Sequence, residues 1–180
     1  MFEDLKIICY PDPRLREKCR MVEAFGDSLK SLAARMFELM REQRGVGLAA
    51  PQVGQTIRMF VMNHTGKPED DRLYVNPVLS DPDGDDEAEE GCLSLPSINI
   101  DVLRSKAIRI RAQDLDGKPF EQTESGYVAR IWQHETDHLN GILLLNHMSP
   151  VQKLTWRKRL RELEAEYEAT RKKKPVPSLL

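Results

Sequence analysis

His134-Glu135-Thr136-Asp137-His138 lies within a run patterned as a helix. Residues four apart on a helix share a face, one turn apart, so both imidazoles can present a ring nitrogen to one point. Such a pair suits a divalent metal, with Glu135 between them as the candidate base. A solvated helix carrying two chance histidines would show the same letters. The flanking residues favour the metal: Tyr127, Ile131, His134 and His138 recur at spacings of four, three and four, so the histidines continue an apolar stripe. Imidazoles buried in such a stripe need partners.

Two other stretches could complete a site. Glu90-Gly91-Cys92-Leu93-Ser94 offers a thiol beside a glycine that admits close backbone approach. By residue type alone, a cysteine between Gly and Leu is more often a small buried hydrophobe. Gly45-Val46-Gly47-Leu48-Ala49-Ala50-Pro51-Gln52-Val53-Gly54 crowds small residues around one long polar side chain, Gln52. It reads either as backbone packed closely against another element or as a tight turn with Gln52 in solvent.

The elements that must position these groups follow from period and punctuation. Pro13-Arg14-Leu15-Arg16 opens a short helix. Asp27 or Ser28 caps a helix running to about Gln43, with Leu29, Leu32, Ala33, Met36, Phe37, Leu39 and Met40 as its buried stripe, and Arg44-Gly45 ends it. Residues 57–62 and 73–79 read as strands around a polar loop at 65–72. The acidic run from Asp81 to Glu90 reads as a solvated loop, since it lacks the ligand order of a calcium loop. Residues 107–112 alternate as a strand with Arg109 and Arg111 outward, and Asp116-Gly117 turns it into a return strand at 119–123. The central helix starts near Ser125, within reach of a cap, and stops at Asn140-Gly141. After Ser149-Pro150 a second long helix runs to about Thr170 on a thin apolar edge of Leu154, Leu160, Leu163 and Tyr167, and a basic tail follows from Arg171. The expected architecture is α+β: antiparallel strands packed around a central metal-binding helix, with a long C-terminal helix.

Chain-wide composition narrows the classes. A length of 180 residues suits a single domain, with its core over residues 5–165 and a helix end and basic tail over 166–180. A net charge of −2 with 31% charged residues argues against nucleic-acid binding through the whole surface. No apolar run approaches the roughly 20 residues needed to span a bilayer. Acids at Glu3 and Asp4 stand where a signal peptide would carry a basic segment, so the expected location is the cytoplasm. Cys9, Cys19 and Cys92 are odd in number and unpaired in spacing, which speaks against a disulfide framework; Cys9 and Cys19 read as core or surface residues.

Segments 45–52, 90–94 and 133–138, in that order, resemble the three motifs of the peptide deformylases, which remove the formyl group from the N-terminal methionine of new bacterial and organellar proteins. The resemblance implies that Cys92, His134 and His138 hold one catalytic divalent metal, with water as fourth ligand. It implies Fe(II) as the native ion, with zinc, nickel or cobalt able to occupy the site. Attack of that metal-bound water, with Glu135 taking its proton and returning it to the departing amine, would release formate. The Gln52 side chain and the Leu93 N–H would stabilise the negative oxygen. Gly45 and Val46 would pair with the formylmethionyl peptide like an added strand, and Gly47 would let its backbone approach. Val46, Tyr127, Ile131 and the edge of His134 would line the methionine pocket. Arg130 stands where some members are apolar; its stem is expected to line the pocket while its charge reaches water.

The same resemblance names nascent formylmethionyl peptides as the partner, and the basic C-terminal end points to the ribosome near the exit tunnel. It implies no membrane and no sequence-specific nucleic acid. Asn99 replaces an arginine that some relatives use near the substrate backbone, and Asn146-His147 stands where many have an acid. A metalloprotease built on the same helix would want a downstream third ligand that is not evident here. A silent formyl-peptide binder would have no need of Glu135, Gln52 and Cys92 together.

Overall fold

Met59, Phe60, Val61 and Met62 are all buried, which marks a strand with a helix over each face. The structure, a computed structural model, describes residues 2–173. Its strands are β1 (Gly47–Ala49), β2 (Met59–Met62), β3 (Arg72–Cys92), β4 (Leu95–Gln113) and β5 (Pro119–Ser125). They form one antiparallel sheet in the order β1-β2-β3-β4-β5. Helices α1 (Asp27–Glu42), α2 (Gly126–Leu139) and α3 (Pro150–Lys173) pack on it, which is the α+β arrangement expected.

Alternation along β2 sends successive side chains to opposite faces. Phe60 and Met62 join Tyr74, Ile110, Trp132 and Leu139 beneath α2. Met59 and Val61 join Met36, Met40 and Val75 beneath α1. Tyr74 stacks on Phe60 at 4.8 Å and meets Trp132 edge-on at 5.5 Å, which anchors α2 close to its histidines. A third cluster, including Leu95, Ile98, Ile100, Leu144, Met148 and Leu163, holds the far half of the β3–β4 hairpin against α3. Each such side chain contributes about 1.5–3 kcal/mol over leaving it exposed.

The acidic run expected as a loop is instead the middle of β3. Its residues pair with β4 from Asp83 opposite Ala107 to Glu90 opposite Ile100. β4 supplies the backbone partners, and Asp83, Asp85, Glu87 and Glu89 point to solvent, where their charge costs little. A bulge between Ser80 and Asp83 is accommodated by left-handed backbone at Asp81 (φ 50°) and Gly84 (φ 61°).

Smaller expectations also change. Gly26, not Asp27 or Ser28, occupies the cap position of α1. The left-handed residue that ends the helix is Arg44 (φ 56°), after which the Gly45 N–H bonds the Met40 carbonyl at 2.9 Å. Ser125 precedes α2 without a side-chain capping bond. Leu154 is 70% exposed, off the apolar edge of α3, and Trp156 packs there beside Leu160 and Leu163. The basic tail beyond Lys173 lies outside the described residues. Among the described residues, no helix is long and apolar enough to cross a membrane.

Candidate metal centre

Cys92 closes β3 at the tip of the hairpin, and α2 brings His134 and His138 to it. One ligand atom from each of the three lies within 4.8 Å of the others. Cys92 Sγ is 3.3 Å from His138 Nε2, and the two imidazole rings stand 5.0 Å apart at 70°. A thiolate with two imidazoles is a donor set suited to a divalent transition metal, and three protein ligands leave a position open.

The local electrostatics fit that use. Burial opposes charge on Cys92, yet the His138 and His134 imidazoles pull its pKa down from 9.0 to about 5. Burial likewise opposes charge on His134, but its hydrogen bonds to Cys92 and Glu90 raise its pKa well above 6.5. The site therefore favours the thiolate that a metal needs.

Behind His134 stands a carboxylate that received no role from the sequence. Glu90 Oε2 lies 2.9 Å from His134 Nδ1. Burial would raise the Glu90 pKa, but His134 and Arg104 hold it far below the usual carboxylate range. An ionised Glu90 only accepts, so Nδ1 keeps its hydrogen and Nε2 is the nitrogen that would give up its proton to a metal. Arg104 grips both Glu90 oxygens, at 2.9 and 3.0 Å, and reaches Asp137 at 2.6 Å. Asp137 in turn meets His147 Nε2 at 2.8 Å.

Glu135 is 4% exposed, and its buried Oε2 has no hydrogen-bond partner. Burial pushes its pKa up from 4.5 to about 7, with the Cys92 and Glu90 charges adding and the two histidines opposing. Its carboxyl fills the place a side chain on Gly47 would take: a Cβ there would stand 2.8 Å from Glu135 Cδ and nearer still to Oε1. Gln52, expected either against another element or in solvent, is 2% exposed. Its Oε1 accepts from the Ala49 N–H at 2.8 Å, while Nε2 lies 3.2 Å from Ser94 Oγ and 3.5 Å from Cys92 Sγ.

A cleft of about 470 Å³ opens over these groups, and Gly45, Val46, Gly47, Gln52, Cys92, Leu93, Tyr127, Arg130, Ile131, His134 and Glu135 all line it. His138, at 1% exposure, lies beneath it. The Asn63 N–H bonds the Val46 carbonyl at 2.9 Å, so alternation turns the backbone groups of Gly47 outward from β2, along the free edge of the sheet.

The polypeptide deformylase family model matches residues 4–154. The chain belongs to the peptide deformylase family. It is 43% identical over 159 residues to the peptide deformylase of Thermotoga petrophila, covering 88% of this chain and 95% of that one. With the peptide deformylase of Rhodopirellula baltica it shares 42% identity over 167 residues, covering 92% and 83%. Its structure is similar to that of a plant peptide deformylase 1B, with a TM-score of 0.91 and 38% identity over 97% of this chain and 96% of the other. Similarity to the Plasmodium falciparum peptide deformylase has a TM-score of 0.89 at 39% identity, covering 92% and 98%. As a deformylase the chain is a metallohydrolase, and the Cys92/His134/His138 triad is the place for its metal.

Two site residues depart from expectation in this deformylase. Tyr127 is 55% exposed, at the mouth of the cleft and off the buried stripe, because it lies in the first turn of α2. Arg130 is 4% exposed, and its charge does not reach water. Its guanidinium turns inward to Glu90, Asp86 and the Val102 carbonyl, because β3 and β4 supply a row of acceptors there. Asn99 is tied to Glu89 at 3.2 Å.

Proposed function

We propose that this deformylase acts on N-formylmethionyl nascent chains, with Glu135 carrying the proton and Gln52 and Leu93 donating to the developing oxyanion. What supports the reading most is the meeting, in one cleft, of the Cys92/His134/His138 triad with the buried, unpartnered carboxyl of Glu135. When bound, a divalent ion there supplies Lewis acidity that polarises the formyl oxygen and lowers the pKa of water. Glu135, with its pKa near 7, accepts a proton from the attacking water and returns it to the departing amine. Gln52 is fixed at its oxygen by the Ala49 N–H, which holds its amide nitrogen as a donor between Ser94 Oγ and Cys92 Sγ, beside the ligand set. Leu93 follows Cys92 in the turn between β3 and β4, so its N–H comes from the backbone that carries the thiolate. The peptide adds to the free edge of β1 through Gly47, in place of the expected Val46, whose carbonyl already accepts from the Asn63 N–H. Its methionine side chain lies over Val46, Tyr127, Ile131 and the stem of Arg130.

The resemblance supports Fe(II) as the native ion, and Cys with two His accepts several divalent metals. Lys153, Arg157, Lys158 and Arg161 on the exposed face of α3 favour an RNA-rich partner, which supports action at the ribosome in the cytoplasm. Anaerobic formate release from formyl-Met-Ala-Ser, with iron-, nickel- and zinc-loaded protein, tests the activity. Turnover should fall by about 100-fold or more in Glu135→Gln while one ion stays bound. A parent that binds metal and releases no formate would overturn the reading.

A further inference from the structure

Arg130 stands one helical turn before His134 on α2, and the two residues hold opposite oxygens of one carboxylate. Arg130 Nη1 donates to Glu90 Oε1 at 2.7 Å, and His134 Nδ1 meets Glu90 Oε2 at 2.9 Å. The same guanidinium reaches the Val102 carbonyl at 2.9 Å on β4. On β3 it reaches both the carbonyl and the carboxylate of Asp86, at 2.5 and 2.8 Å. One side chain thus ties α2 to both strands of the hairpin whose tip carries Cys92.

We infer that Arg130 is a positioning residue for the metal ligand His134, acting through Glu90. Arg104, on β4, also grips Glu90 and reaches across to Asp137 on α2, so it ties the sheet to the helix beside His138. Arg130 is the arm that α2 itself extends to Glu90, one turn before His134. Its fork sets how the helix is rolled against β3, and that roll decides whether His134 Nδ1 meets Glu90 and turns Nε2 toward Cys92 and His138. The anchoring also withdraws the charge from the methionine pocket, so the pocket keeps the aliphatic stem and the metal site keeps the guanidinium. Outer partners of a ligating histidine are conserved in their effect: losing one typically costs about 10- to 100-fold in metal affinity or activity.

The inference rests on His134 being a ligand, and a parent that fails to bind one Co(II) per chain would unseat that reading itself. Arg130→Met keeps the stem and removes the fork. We expect its metal-free form to bind Co(II) about 10- to 100-fold more weakly than the parent. Its Co(II) visible spectrum and the ¹⁵N signals of His134 should shift, and kcat should fall with KM little changed. Arg130→Lys, which keeps charge without the fork, should recover only part of the affinity. Arg130→Met with the parent's Co(II) affinity and spectrum and a raised KM alone would make Arg130 a pocket-lining residue and overturn the proposal. Should Arg130→Met not fold, Asp86→Ala removes one anchor of Arg130 without touching Glu90 or His134. Weaker Co(II) binding there supports the proposal, and unchanged affinity and spectrum overturn it.

Discussion

The carboxyl of Glu135 occupies the space that any side chain on Gly47 would need, so β1 and α2 meet at these two residues without a gap. An alanine at 47 must push the carboxyl aside, out of the position from which it faces the metal triad. Gly47→Ala should therefore reduce kcat on the order of 100-fold, the scale of a misplaced general base. Metal stoichiometry should stay at one per chain, because the atoms nearest the new methyl group all belong to Glu135 and not to the three ligands. Normal turnover by Gly47→Ala would show that Glu135 can act from another position.

Removing the metal should expose one thiol. Cys92 lines the cleft, whereas Cys19 is 5% exposed and Cys9 is half-buried, with its pKa raised by burial and by Cys92. Chelation should abolish formate release and allow iodoacetamide to modify Cys92 alone, as read by peptide mass mapping. Re-addition of metal before alkylation should protect the thiol and restore turnover. Equal labelling of Cys92 with and without metal would exclude it as a ligand.

The triad was legible because helical spacing and three short motifs are local signals. Arg104 was legible in principle: Ile98, Ile100, Val102, Ile108, Ile110 and Ala112 mark the buried phase of β4, and Arg104 falls on that phase. A charge at a core-facing position demands a partner. That partner, Glu90, could not be found from the sequence because an acidic run carries no apolar alternation to fix its phase. Only pairing with β4 sets which of its residues turn inward. Arg130 failed for the same reason, since its acceptors belong to β3 and β4 and not to its own helix. Tyr127 carried the stripe's spacing, but it lies in the first turn of α2, at the open cleft.

The buried pair of Arg104 and Glu90 yields a stability prediction. Their side chains are 6% and 5% exposed, so Arg104→Met strips a carboxylate of its bidentate partner where water does not replace it. Breaking such a pair from one side costs about 3–5 kcal/mol, an upper bound here because Arg130 and His134 still hold Glu90. In a domain of this size that lowers Tm on the order of 10 °C. Adding Glu90→Gln should not recover the loss, because Arg130 and His134 still hold Glu90 and would then lose their carboxylate as well. An unchanged Tm in Arg104→Met, followed by calorimetry of the metal-free protein, would place the pair outside the stabilising core.

Cys19 yields a prediction at alkaline pH. Burial pushes its thiol up from 9.0 to about 11, with Arg58 pulling the other way. A folded pKa above the unfolded one means the native state holds the proton more tightly. Its stabilisation is therefore complete below about pH 9 and is lost as pH rises toward 11, by at most about 1.4 kcal/mol per pH unit. Cys9 and Tyr10 shift in the same direction, so the parent's alkaline limb is a sum and the comparison must isolate one thiol. Cys19→Ala should be less stable than the parent at pH 8 by the cost of a small cavity. That gap should narrow steadily between pH 9 and 11, because only the parent loses the Cys19 contribution. Urea midpoints measured across this range for both proteins decide it, and a gap that stays constant would mean the thiol ionises in the folded protein as readily as in the unfolded chain.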